Sequence, residues 1–234
     1  MELNVLATDA LRDKYATVFR ILNETYGRPV WHSHGPALDV LVSTIISQAT
    51  SDSNTHRAYT ELTSRFPDWE SVMEAPPEEV MAAIHSAGLS NRKGPRIQAA
   101  LRHIQHERGD LSLEFLADEP LDEAMKWLTS IDGVGPKTAS IVLLFSLGRP
   151  AFPVDTHVHR VSGRLGLIPA SMGAAKAHDL LAGLGPPETY YPLHLNLIRH
   201  GRRVCQARRP QCSICPLKEI CDYFRLNVVQ AADA

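Results

Sequence analysis

The 234-residue sequence predicts an all-α fold. Apolar residues recur at three- and four-residue steps along most of the chain, no stretch sustains apolar–polar alternation, and Gly, Pro and Asn fill the gaps between periodic runs. The first element shows the grammar. Leu11, Tyr15, Val18, Phe19, Leu22 and Tyr26 mark one face, Thr8 or Asp9 stands where an N-cap is wanted, and Gly27 ends the run. Further helices are expected over 36–46, 52–65, 77–87, 92–108, 121–131, 136–147, 156–166, 173–183 and 189–203. No low-complexity tract or repeat of solenoid length interrupts them.

With 44% apolar residues the chain can bury a real core as one large domain or two small ones, and it needs no disulfides to fold. The opening residues MELNVLATDA have neither a basic n-region nor an apolar h-region. No apolar run approaches the roughly 18 residues of a membrane span. A soluble cytoplasmic protein with reduced thiols and no membrane partner is expected.

All four cysteines lie in "CQARRPQCSICPLKEIC", residues 205–221. Cys205, Cys212, Cys215 and Cys221 are separated by six, two and five residues, a spacing that can fold around one centre. Reduced thiols in one short segment point to metal ligation, and the spacing alone leaves zinc and an iron–sulfur cluster both open. The net charge of −2 hides a strong segregation. From Thr189 to Lys218 there is no acidic residue, but Arg199, Arg202, Arg203, Arg208, Arg209 and Lys218 all fall there. Between Glu114 and Asp132 six acids face Lys126 alone. The basic stretch around the cysteines suits a polyanion, or is simply a solvated face.

The segment "SIDGVGPKTASIVLLFSLG", residues 130–148, joins two helices by a minimal turn. Gly133 and Gly135 are expected to hold backbone angles that a side chain would forbid, and Pro136 suits a first helical position. Amides at that helix start, with glycines that let another backbone approach, can take a phosphate. Lys137 sits at the same helix start. It is a solvated surface lysine or a nucleophile whose amine is freed of its proton by the helix terminus and desolvation, an effect that nearby phosphates would oppose. In "FPVDTHVHRVSGRLG", residues 152–166, Asp155 is placed to cap a helix, and its carboxylate could also stabilise a developing cation. His157 and His159 are read as structural or phosphate-facing.

Four motifs in order resemble the endonuclease III family of the helix-hairpin-helix DNA glycosylase superfamily: "SQATSD" at 47–52, "GVGPKTA" at 133–139, "VDTHVHRV" at 154–161, and the cysteine intervals. The resemblance covers nearly the whole chain. It implies a six-helix domain at about 37–149, with the helix-hairpin-helix at about 121–147, inserted into a cluster domain made of 1–36 and 150–234. It favours a [4Fe-4S] cluster on Cys205, Cys212, Cys215 and Cys221 over zinc, with the loop "QARRPQ" presenting Arg208 and Arg209 to DNA phosphates. Lys137 matches the family's Schiff-base lysine and Asp155 its catalytic aspartate, facing each other across the interdomain cleft. Gly133, Val134 and Gly135 match the hairpin, and His157 falls in the DNA-facing motif. Gln48 matches the residue that fills the space of a flipped base, and Leu89 its partner wedge.

The implied function is a bifunctional DNA glycosylase and abasic-site lyase of base excision repair, acting as a monomer on oxidised pyrimidines in double-stranded DNA. Two departures are visible. Asp132 stands where proline is common, and Ser51 separates Thr50 from Asp52 beside the wedge. Three other readings stay open at this point: an enzyme mainly of abasic sites, an idle DNA-binding or redox-sensing module, and an adenine mismatch glycosylase. The last normally carries a further C-terminal domain, whereas thirteen residues follow Cys221 here.

Overall fold

A computed structural model describes residues 8–229 of the protein. Residues 1–7 and 230–234, the ends of the expected cluster domain, lie outside the described residues. All regular structure among the described residues is helical, as the periodicity requires. The principal helices are α1 (Asp9–Tyr26), α2 (Ala37–Ile46), α3 (Asp52–Arg65), α4 (Trp69–Glu74), α5 (Pro77–Ala83), α6 (Ser90–Arg108), α7 (Leu121–Ser130), α8 (Pro136–Ile141), α9 (Thr156–Leu165), α10 (Ala174–Ala182) and α11 (Tyr190–Arg203). The chain divides into a continuous unit, His32–Arg149, and a discontinuous one formed by residues up to Trp31 and from Pro150 onward. The first junction lies ahead of position 36 because His34 N–H donates to the Phe145 carbonyl at 2.9 Å and Ser33 Oγ to the Ser146 carbonyl at 3.1 Å.

In the continuous unit α2 is the central helix. Leu38, Leu41, Val42, Ile45 and Ile46 are all buried, and α3, α6 and α8 pack around it. A helix apolar on every side belongs in such a centre. Ile97, Leu101 and Ile104 of α6 complete the core at helical spacing. Three elements differ from expectation. Helix α4 is additional to those expected; it has six residues and is held by Asp68, whose carboxylate accepts from Ser71 N–H at 2.8 Å. The run expected at 77–87 breaks after Ala83, and a 3₁₀ turn at His85–Ala87 leads into Gly88 at φ 68°. Helix α8 widens into a π turn at Val142–Ser146, where the Phe145 and Ser146 carbonyls are taken by the 33–34 segment.

The discontinuous unit is built on α11. Tyr15, Val18 and Leu22 of α1 are buried, and α1 packs on α11, which also packs against α9. Polar ties fix the α1 contact. Tyr15 Oη lies 2.7 Å from Thr189 Oγ1, and Asn196 Nδ2 donates to Asn23 Oδ1 at 3.0 Å and to the Gly27 carbonyl at 2.9 Å. Thr8 caps α1 through Leu11 N–H, as its position in the sequence suggests.

Candidate functional site

In the continuous unit the hairpin between α7 and α8 is closed by Val134 N–H donating to the Ile131 carbonyl at 3.0 Å, and the Val134 side chain is buried. Gly133 is left-handed at φ 77°. That conformation favours glycine, and a Cβ there would lie 2.1 Å from Arg96 Nε, so the Arg96 side chain would have to move. Gly135 corrects the sequence reading: its φ of −92° is open to any residue. What Gly135 provides is clearance, since nothing stands within 4 Å of where its Cβ would be. It caps α8 without a side-chain bond, and Pro136 occupies the first helical position. Lys137 follows, half-buried, and its side chain has no hydrogen-bond or ion-pair partner among the described residues.

Gln48 and Leu89 sit on two loops of the same unit, both strained. Ala49, next to Gln48, and Leu89 itself each hold a φ of 53°, a left-handed conformation that costs roughly 1–2 kcal/mol for a residue with a Cβ. Leu89 is 52% exposed, unusual for so apolar a side chain at a helix entry. Two neighbours escape the sequence reading. Arg96 Nη1 donates to Gln48 Oε1 at 3.1 Å. Lys93, only 2% exposed, donates to the Ile46 carbonyl at 2.7 Å and the Ala87 carbonyl at 3.0 Å. Burial pushes its pKa down. A signal existed: Lys93 shares the i, i+4 stripe of Ile97 and Leu101, where an apolar residue is expected.

In the discontinuous unit Asp155 caps α9, its Oδ1 accepting from Val158 N–H at 2.7 Å. One carboxylate oxygen therefore performs the cap, and the group is half-buried. His157 turns to Arg160, whose Nη2 lies 3.1 Å from its Nδ1. A guanidinium only donates, so Nδ1 accepts. Burial pushes the His157 pKa down, Asp155 works against that, and Arg160 and Arg202 add to it. His159 Nε2 meets the Met172 carbonyl at 2.8 Å.

The four cysteines line one small apolar cavity with Arg164, Val204, Pro210, Tyr223 and Phe224. Arg164 organises its rim: Nη1 donates to Cys205 Sγ at 3.3 Å and to the Gln206 carbonyl at 2.7 Å, and Nη2 donates to the Ala207 carbonyl at 3.1 Å. Its guanidinium lies 4.7 Å from the Tyr223 ring centroid. Cys221 Sγ donates to the Arg164 carbonyl, and Cys215 Sγ lies 3.5 Å from Nε2 of the buried His200. Burial pushes the Cys215 thiol up to about 11, with the neighbouring cysteines adding to the shift, and it raises Cys212 and Cys221 as well. Four such thiolates coexist only around positive charge, which is the chemistry of a metal cluster. All four cysteines line the same cavity, as a cluster held by four thiolates requires. Arg208 and Arg209 are exposed on the loop beside it, Arg209 at φ 55°.

Comparison with known proteins places this architecture. The family described as HhH-GPD superfamily base excision DNA repair protein matches residues 42–187, and the iron-sulfur binding domain of endonuclease III matches residues 205–221. Endonuclease III of Thermotoga maritima is 32% identical over 83% of this chain and 86% of its own length. An Arabidopsis thaliana relative is 38% identical over 77% of the chain, which spans only 59% of that longer protein. A solved endonuclease III, trapped as a covalent intermediate with DNA, superposes with a TM-score of 0.78 at 26% identity, over 92% of this chain and 97% of that one. The chain thus belongs to the helix-hairpin-helix base excision DNA repair superfamily and, within it, to the endonuclease III-like DNA glycosylases, whose iron–sulfur cofactor it shares.

Proposed function

We propose that the protein is a bifunctional DNA glycosylase and abasic-site lyase that removes oxidised pyrimidines from duplex DNA. The observation that carries the reading is Lys137: a half-buried amine without a side-chain partner among the described residues, on the first turn behind a hairpin whose glycine at 135 leaves its outer side clear. The solved relative trapped covalently with DNA supports it.

Duplex DNA approaches the hairpin through its phosphates, and a damaged nucleotide, weakly paired, is extruded at low cost. Gln48 and Leu89 occupy the space it leaves. Lys137, deprotonated, attacks the sugar C1′ as the glycosidic bond breaks and the base departs with a proton. Asp155 uses the carboxylate charge not consumed by its cap to stabilise the cationic sugar. Loss of the sugar oxygen's bond to C1′ yields an imine on Lys137. The imine acidifies the C2′ proton, whose removal expels the 3′ phosphate and breaks the strand. The cluster, when bound to Cys205, Cys212, Cys215 and Cys221, supplies a structural cross-link, and Arg208 and Arg209 on the same loop meet phosphates.

The test is borohydride trapping on a duplex carrying an oxidised pyrimidine. The wild-type protein should give a covalent adduct and a nicked strand, while Lys137→Gln should give neither yet still bind the duplex. Base release without any trapped adduct would sink the lyase half of the reading. An adduct on abasic DNA with no release from the damaged base would leave an abasic-site enzyme instead.

A further inference from the structure

Helix α6 carries two cations one turn apart whose partners are unusual. Lys93 is buried, yet among the described residues no carboxylate answers it. Its two acceptors are the carbonyls of Ile46 and Ala87. Ile46 lies two residues before Gln48 and Ala87 two residues before Leu89, so one ammonium grips both wedge loops at the same distance from their tips. Arg96 then reaches the tip of one loop, donating to Gln48 Oε1, and its side chain lies across Gly133, where a Cβ would meet it at 2.1 Å. Both loops hold left-handed residues with side chains, a conformation that persists only where the surroundings over-determine it.

We propose that Lys93 and Arg96 are positioning residues, a bracket that fixes the two wedge loops to each other and to the hairpin, so that Gln48 and Leu89 are preset for the duplex. This rests on the reading of Gln48 and Leu89 as the pair that enters the DNA. The bracket also sets the polarity of the tip. A guanidinium has donors only, so the Gln48 carbonyl oxygen turns to Arg96 and its amide nitrogen is left to donate to the base whose partner has been removed. Every base offers an acceptor on its pairing edge, so a donor at the tip tolerates any opposite base. Preorganisation of this kind matters because a misplacement of about 1 Å in a reacting complex costs on the order of a hundredfold.

The experiment uses a duplex with a tetrahydrofuran abasic analogue, which cannot be cleaved, opposite 2-aminopurine. Insertion of the wedge unstacks the 2-aminopurine and raises its fluorescence. Lys93→Met and Arg96→Met should keep wild-type affinity for undamaged duplex, lose most of that rise, and lose about tenfold or more of the preference for damaged over undamaged DNA. In a double-mutant cycle, Gln48→Ala should add little to Arg96→Met, because the two act as one unit. Full fluorescence and full preference in both variants, or additive losses in the cycle, would overturn the bracket and leave the wedge assignment standing. A wild-type protein that gives no rise removes the wedge assignment, and the bracket with it, whatever borohydride trapping shows. Should Lys93→Met not fold, Arg96→Met, whose side chain is only half-buried, decides alone.

Discussion

In the proposed mechanism Asp155 serves two ends with one side chain, and they can be separated. Its Oδ1 accepts from Val158 N–H, a bond that asparagine makes about as well as aspartate. Asp155→Asn should therefore melt within about 1 kcal/mol of wild type. If the charge stabilises the sugar cation, single-turnover base release should fall by roughly a hundredfold or more, with a smaller loss on preformed abasic DNA. A variant that melts much lower but keeps its rate would make Asp155 a cap and nothing else. The helix-start positions of Asp155 and Lys137 are legible in the sequence because their own neighbours specify those starts. Arg96 and Lys93 are not, since Arg96 meets Gln48 across 48 positions and Lys93 meets Ile46 across 47. Helical periodicity describes the element a residue belongs to, and it says nothing of a partner on another.

At the scale of elements, the loop from Cys205 to Cys221 joins the cysteines to the basic surface. Arg208 and Arg209 are exposed beside the cavity, whereas Arg164 is occupied with the loop's own carbonyls. Reversing Arg208 and Arg209 to Glu should weaken binding to damaged and undamaged duplexes alike. The slope of log affinity against log salt should become shallower by about one unit for each phosphate that is no longer neutralised. An unchanged slope would place the pair in solvent. The cysteine intervals are readable because ligand spacing is a local property, and so are the long amphipathic helices. Helix α4, with six residues, is too short to show a period, and the π turn after α8 depends on Ser33 and His34, more than 100 positions away.

Across the whole molecule, burial pushes the pKa values of His34, His157 and His178 below their ordinary 6.5. Each is therefore neutral in the folded chain at a pH where the unfolded chain has begun to take up protons. Their stabilising contribution is complete above about 6.5 and is lost progressively as the pH falls toward the folded values. Melting temperature should thus decline from pH 7 to pH 5. His178→Asn, which keeps a donor for the Phe152 carbonyl that the imidazole meets at 2.8 Å, should flatten part of that decline. A variant profile parallel to wild type throughout would exclude His178 as a source. The all-helical chain follows from the sequence, but the histidines' burial is a property of the finished packing.

The way α1 is bound has a consequence for how the protein is made. Tyr15 waits for Thr189 across 174 positions, and Asn23 for Asn196 across 173. On the ribosome, α1 emerges before the continuous unit and its partner helix α11 only after it. The continuous unit can therefore complete its packing while the apolar face of Tyr15, Val18 and Leu22 is still without its cover, and translation at about 5–20 residues per second makes that interval last many seconds. Loop closure over such a span costs little more than over a shorter one. The exposure falls on time rather than on free energy.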